Sequence, residues 1–388
     1  MYDATKLIQS AGDERLVGGR LVRLVNPGEG QASTVLFGSY EDLVAANAGE
    51  YPGVTYGTDR LPMQRAFEEA IRELEGGGLT RAFPSGISAL INTLLAFTRA
   101  GDHILICDNA YGPITHFCQE ILARFQVEAS PVPANAGADI AAWFRPETRL
   151  ILLESPGSNT FELQDIPAIT SLARERGIIT VLDGTWATPL YLRAFELGVD
   201  VSVQSATKYM AGHSDVLLGA VTVTPALAGR FDAFYRVMEL FAAPEDCRLA
   251  LRGLRTLMVR LRQHAQSALE IAQWLSGHDL VDQVLHPALP SHPEHHLWRR
   301  DFQGASGLFG FTFKAEYPAD RLAAFINALE LFGIGYSWGG YKSLVTAGRY
   351  QRALPSRYDG RTIIRLSIGL EDPRDLMRDL AAALSFLP

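Results

Sequence analysis

Short apolar runs alternating with helical stretches limit what this chain can fold into. Residues His103–Cys107 (HILIC), 149–153 (RLILL) and 178–182 (IITVL) are five residues each and almost wholly aliphatic. Such runs predict strands buried on both faces, because a strand with one wet face would alternate apolar and polar residues. Stretches 114–125 and 166–176 between them carry apolar residues at helical spacing. Val201–Gln204 and 217–223 predict two further strands. The alternation predicts βαβ units, hence an α/β fold whose large domain holds a mostly parallel sheet covered by helices.

The flanks read differently. Residues 1–60 are rich in Gly, Asn and small polar residues without a clear period, and predict an extended arm. From Leu61 the period becomes helical, with Ala66, Phe67, Ala70, Ile71 and Leu74 following, until Gly76-Gly77-Gly78 stops it. The large domain is assigned to 61–245. Beyond about Asp232 come a long helical stretch over 249–275, a strand over 307–313, a helix over 322–331, a strand over 363–368 and a last helix over 376–387. These predict a smaller C-terminal α+β domain, 246–388. A connector beginning at His286 (HPALPSHPEHH) brings His292, Glu294, His295 and His296 together. No second ligand cluster accompanies them, so the expectation is an exposed proline-rich linker and no metal site.

Composition removes several function classes. The 388 residues carry 35 basic and 43 acidic side chains, a net charge of −8, which disfavours nucleic-acid binding. No window approaches the roughly 18 apolar residues of a membrane span. Residues 1–19 lack the basic-then-apolar plan of a secretory signal, and the expected compartment is the cytoplasm. Cys107, Cys118 and Cys247 are scattered, which argues against disulfides or zinc and predicts buried thiols. No GxGxxG follows a strand in the N-terminal half, against a dinucleotide-binding dehydrogenase.

In a doubly wound sheet, ligands collect beyond the carboxyl ends of the strands. Here those ends carry Asp108, Asn109 and Tyr111; Glu154 and Ser155; Asp183; and Ser205, Thr207 and Lys208. Lysine is rare in this chain, occurring only at Lys6, Lys208, Lys314 and Lys342. A primary amine can form a Schiff base with an aldehyde, and a guanidinium cannot. Segment Pro84-Ser85-Gly86-Ile87-Ser88 feeds a helical run and offers free amides to a phosphate. A lysine, an acid about 25 residues before it, neighbouring hydroxyls and an aromatic ring together suit pyridoxal 5'-phosphate (PLP), whose ring nitrogen needs a carboxylate.

These residues resemble a known family. Ser205-Ala206-Thr207-Lys208-Tyr209, followed by Gly212-His213-Ser214-Asp215, resembles the cofactor-lysine segment of the Cys/Met-metabolism group of fold-type I PLP enzymes. Leu182-Asp183-Gly184-Thr185-Trp186-Ala187 resembles its acid segment. Tyr336-Ser337-Trp338-Gly339-Gly340-Tyr341 and the stretch from Ile364 to Asp372 are similar to its C-terminal substrate segments. The resemblance runs from about residue 20 to the end. It is closest to the cystathionine β-lyases, through the triplet Tyr336 to Trp338.

The resemblance implies a fold-type I enzyme that cleaves L-cystathionine, or a related S-substituted cysteine, to a thiol, pyruvate and ammonia. It implies that Lys208 carries the cofactor and shuttles protons, Asp183 pairs with the pyridine nitrogen, and Tyr111 stacks on the ring. Gly86 and Ile87 amides with Ser205 and Thr207 hydroxyls would hold the phosphate, joined by Tyr56 of a neighbouring copy. Arg365 would bind the substrate α-carboxylate, while Tyr336, Ser337 and Trp338 would line the pocket. The assembly implied is a dimer of site-sharing subunits, or a tetramer built from such dimers, with the arm reaching across.

Three positions depart from the family pattern: Thr58 where an Arg is usual, Gly184 where Asn is usual, and Lys342 where Glu is usual. Arg60 could take the place of the missing Arg. These departures leave open γ-elimination, γ-replacement or another β-cleavage on the same cofactor. A non-catalytic regulator of the same fold is the alternative from another class.

Overall fold

A computed structural model describes residues 3–9, 13–17, 20–26 and 30–387. The first sixty positions, read as an extended arm, hold helix α1 (Asp3–Gln9), the hairpin β1 (Asp13–Val17) and β2 (Arg20–Leu24), and helix α2 (Tyr40–Asn47). Leu7 of α1 is buried among residues of the large domain, and Asp3 pairs with Arg193. This part of the arm therefore lies against its own chain.

Helix α3 (Pro62–Glu75) begins where proline costs nothing, at a position whose amide has no helical acceptor. The Gln64 side chain accepts the Leu61 amide at 2.6 Å, and Gly76 ends the helix with φ of 75°. The large unit continues through β3 (Leu79–Phe83), α4 (Gly86–Phe97), β4 (His103–Cys107), α5 (Gly112–Glu120), β5 (Glu128–Val132), β6 (Thr148–Glu154), α6 (Ile166–Glu175), β7 (Ile179–Asp183), the single turn α7 (Thr188–Tyr191), β8 (Val201–Gln204), β9 (Gly219–Val223) and α8 (Pro225–Val237). Its seven-stranded sheet has the order β3-β9-β8-β7-β6-β4-β5. Strand β9 is antiparallel to both neighbours, and the other pairings are parallel.

Side-chain alternation explains the double burial. Leu105, Ile151, Leu153 and Leu182 point into one core cluster, and Ile104, Ile106, Leu150, Leu152 and Val181 into another. Both faces are dry, and each fully buried aliphatic side chain contributes about 1.5–3 kcal/mol. Because the strands run parallel, their carboxyl ends align. The register sets Glu154 opposite Asp183, and Asp183 opposite Val203.

Helix α9 (Pro244–Ser276) leads into β10 (Val281–Leu285), α10 (His295–Asp301), β11 (Leu308–Phe313), α11 (Ala319–Asn327), β12 (Gly333–Ile334), β13 (Leu344–Arg349), β14 (Thr362–Ser367) and α12 (Pro373–Leu384). The second sheet has the order β10-β11-β14-β13-β12. The early residues of α9, such as Leu254 and Leu257, pack with the large unit. Later ones, Ile271 and Leu275, pack under the second sheet.

The connector from His286 corrects the expectation of an exposed linker: His286, His292 and Glu294 are buried. The backbone turns back on itself so that the Ala288 and Glu294 amides donate to the Nδ1 atoms of His286 and His292. The three cysteines are buried and unpaired. No helix among the described residues is long and apolar enough to cross a membrane.

Candidate functional site

A cavity of about 540 Å³ opens at the carboxyl ends of the large sheet, with the second sheet closing its far side. It gathers Gly86, Ile87, Tyr111, Asp183, Ser205, Thr207 and Lys208 from the large unit with Tyr336, Ser337, Trp338 and Arg365 from the second. Of the residues given a cofactor or substrate role from the family resemblance, Tyr56 lies elsewhere in its own chain. It is 54% exposed and lines a separate cleft with Thr58, Asp59 and Arg60.

The amine and the acid are linked by one set of bonds. Asp183 ends β7, and its Oδ1 accepts from the Thr185 amide at 3.0 Å and the Thr185 hydroxyl at 2.5 Å. Thr185 Oγ1 in turn accepts the Ser205 amide at 2.8 Å, and Ser205 O accepts the Lys208 amide at 3.0 Å. Lys208 Nζ donates to Ser337 Oγ at 3.1 Å and lies 5.5 Å from the centre of the Trp338 ring. Arg260 on α9 supports the turn from behind, donating to the carbonyls of Tyr209 and Met210.

Burial pushes the Lys208 amine below its ordinary pKa, helped by the Arg365 charge and opposed by Asp183. The Asp183 carboxyl is pushed up by burial, against its bonds to Thr185 and the nearby Lys208. A cationic ring nitrogen beside Asp183 would favour its ionised form.

At the start of α4 the Ser85 hydroxyl accepts the Ser88 amide at 3.1 Å. This leaves the Gly86 and Ile87 amides without helical acceptors, facing the cavity. A Cβ on Gly86 would lie 2.5 Å from Ser205 Oγ, so only glycine lets the two segments meet. The two predicted phosphate hydroxyls differ. Ser205 is free to turn inward, whereas Thr207 Oγ1 donates to Leu218 O at 3.2 Å and accepts from Leu218 N at 2.9 Å.

Several residues at this site carried no site role in the sequence reading. Glu154 ends β6 beside Asp183 and accepts from the Tyr111 amide at 2.6 Å and from the Ser158 hydroxyl at 2.5 Å. Burial, with Asp183 as a like charge, pushes its carboxyl well above the usual carboxylate range. Its position next to Asp183 at a parallel strand end was the available signal. Asn159 Oδ1 accepts from Arg365 Nη1 at 3.3 Å. Thr346 and Tyr350 also line the cavity, and no motif marks them.

The departures from the family pattern are accounted for in part. Gly184 leaves the space that Gln204 fills, since a Cβ there would lie 2.9 Å from Gln204 Nε2. Arg60 is spent inside its own chain on Glu68 at 3.1 Å, which does not support its taking the place of an Arg at position 58. Lys342 is exposed and away from the cavity lining.

The donor set fits PLP: an amine, a half-buried acid with one oxygen free of protein donors among the described residues, and two free amides at a helix start. The family model for Cys/Met metabolism PLP-dependent enzymes matches residues 20–385. The chain is 44% identical to a putative cystathionine beta-lyase of Rhizobium johnstonii, with 98% of each chain covered. It is 39% identical to the cystathionine beta-lyase MetC of Escherichia coli K12, with 92% of each covered. It is also 38% identical to an L-alanine/L-glutamate racemase of Wolbachia pipientis, covering 94% of this chain and 93% of the relative.

Proposed function

The chain belongs to the Cys/Met-metabolism PLP-dependent enzymes, and from that premise we propose that it is a carbon–sulfur β-lyase. Its substrate is L-cystathionine or a related S-substituted cysteine, and its products are a thiol such as homocysteine, pyruvate and ammonia. The observation that carries this reading is the Lys208 amine, held by Ser337 in one cavity with Asp183 and Arg365. The relatives named as cystathionine beta-lyases support the substrate class.

PLP, when bound, supplies an electron sink for charge developing at the substrate Cα. Lys208 is the amine that holds it, and its lowered pKa suits the same group to take the Cα proton. Asp183 would pair with the pyridine nitrogen, and Tyr111 would stack on the ring. Gly86, Ile87 and Ser205 would hold the phosphate. Thr207 joins them only if its hydroxyl leaves Leu218. Arg365 receives the α-carboxylate as a two-pronged donor, with Tyr336, Ser337 and Trp338 walling the substrate. Lys208 or Tyr111 returns a proton to the departing sulfur.

Tyr56, exposed and outside the cavity of its own chain, is assigned to the phosphate of a second copy, which makes the working unit a dimer or a pair of dimers. Residues 1–60 act as the arm, 61–245 as the cofactor domain and 246–388 as the second domain. Three unpaired thiols suit a reducing, cytoplasmic setting.

The test is product analysis with L-cystathionine. Pyruvate and homocysteine support the proposal. Release of 2-oxobutyrate would mean γ-elimination, and inversion of alanine without keto acid would mean racemisation; either result overturns it.

A further inference from the structure

Segment 350–357 places Tyr350 in the cavity wall, while Arg352, Leu354 and Arg357 line a neighbouring cleft with Asp108 and Glu162. It leaves the end of β13, whose Thr346 pairs across the sheet with Arg365. Three residues past the strand, Arg352 reaches the large unit and bonds Thr160 and Glu162. That ion pair is buried, with side-chain exposures of 8% and 7%. The next two amides, of Ala353 and Leu354, donate to Asp108 at 3.1 and 2.9 Å. Arg357 then bonds Glu294 at 3.0 Å. A segment of the second domain is thus fastened at three points to the strand-end loops and to the connector.

Tyr350 sits between the strand end and the first fastening. It lines the cavity, half-buried, while Tyr111 and Tyr336 at the rim are 45% and 91% exposed. The Thr346 hydroxyl beside it is buried without a well-formed protein partner. An amino acid whose carboxylate meets Arg365 and whose Cα lies near Lys208 has its side chain left to fill the remaining space. The Tyr350 ring forms part of that wall.

We propose that Tyr350 is a specificity-determining residue: its ring walls the space that receives the substrate chain beyond Cβ, and the Arg352–Glu162 pair with Asp108 hold it there. The substrate class selected is the amino acid bearing an extended, polar chain on its β-substituent. The proposal rests on the β-lyase reading for the identity of the leaving group alone.

The test uses purified PLP-loaded enzyme and two substrates alike up to Cβ: L-cystathionine and β-chloro-L-alanine, which loses only chloride. Tyr350→Ala is expected to lower kcat/KM at least about tenfold for cystathionine and less than about threefold for β-chloro-L-alanine. Tyr350→Phe keeps the ring and should stay within about threefold of the parent on both. Equal losses on the two substrates, no loss on either, or an alanine-sized loss in Tyr350→Phe would overturn the assignment. If the parent enzyme eliminates from neither substrate, the β-lyase reading fails by itself. The Tyr350 assignment is then decided by absorbance titrations with L-cystathionine and L-alanine. Selective weakening of cystathionine binding in Tyr350→Ala supports it, and parallel weakening overturns it.

Discussion

Replacing Gly86 by Ala should damage the phosphate cradle in a way the geometry specifies. The added Cβ would lie 2.5 Å from Ser205 Oγ and 2.6 Å from Ser205 Cβ. Rotating the hydroxyl relieves the first contact but not the second. Comfortable carbon contacts begin near 3.5 Å, so the start of α4 and the Ser205 segment must separate by about 1 Å. Overpacking of this kind costs roughly 1–3 kcal/mol of stability. Hydrogen bonds to a charged group contribute about 1.5–3 kcal/mol each. Disturbing the Gly86 and Ile87 amides by the equivalent of one such bond should therefore weaken PLP binding about 10- to 100-fold, at 1.4 kcal/mol per decade. The assay is titration of the cofactor-free protein with PLP, alongside a urea melt. Adding Ser205→Gly to Gly86→Ala removes the unyielding carbon and should recover stability, though not the lost hydroxyl. If Gly86→Ala binds PLP like the parent, the cradle is not where the structure puts it.

Other expectations follow from the same cavity. Lys208→Ala should abolish the cofactor's covalent attachment, read by borohydride trapping, and lower turnover at least about 10²- to 10⁴-fold. Asp183→Asn should retain PLP but lose most of kcat, with an altered absorbance spectrum. Arg365→Lys should raise KM about tenfold or more while leaving the cofactor spectrum unchanged, since an ammonium cannot fork onto a carboxylate. Glu75, buried with Oε2 unpartnered, has its carboxyl raised from 4.5 to about 7 by desolvation. Its folded pKa lies above the unfolded one, so its contribution is most favourable below pH 4.5 and is lost as pH rises through about 7. The total loss is of order 3 kcal/mol at 1.36 kcal/mol per unit. Urea midpoints of Glu75→Gln should be correspondingly flatter between pH 5 and 8; a parental slope would refute the assignment.

Legibility in the sequence followed burial and local periodicity. His103–Cys107 and Val201–Gln204 were readable to the residue because both faces of each are covered, so that even their polar members, His103, Ser202 and Gln204, are buried and no wet face imposes an alternation. Strand β5 was not, because Pro131 and Ser130 interrupt it, and it survives as an edge strand that needs fewer backbone donors. Strand β13, with Thr346, Ala347 and Gly348, has no apolar signature to read. The connector misled because histidine and proline suggest solvent. The structure buries His286 and His292 as neutral rings, with burial holding their pKa values near 4 and 3. The residues gathered around Lys208 were visible because chemistry restricts which types can stand there. Asn159 was not, since it enters through a bond from Arg365, 206 residues away, and neither was Tyr350, whose neighbour Arg352 is fastened to Glu162 across 190 residues.

Helix α9 carries a consequence for how this protein can change. Its 33 residues span about 50 Å as one uninterrupted rod, keyed at one end to the sheet bearing Lys208 and at the other to the sheet bearing Arg365. Inserting a single residue at its middle would turn the later half by about 100°, leaving Ile271 and Leu275 aimed away from their sockets. The gap between amine and guanidinium is therefore geared to the screw of one helix. Surface turns elsewhere can lengthen freely, whereas this shaft tolerates change of side chain but not of length.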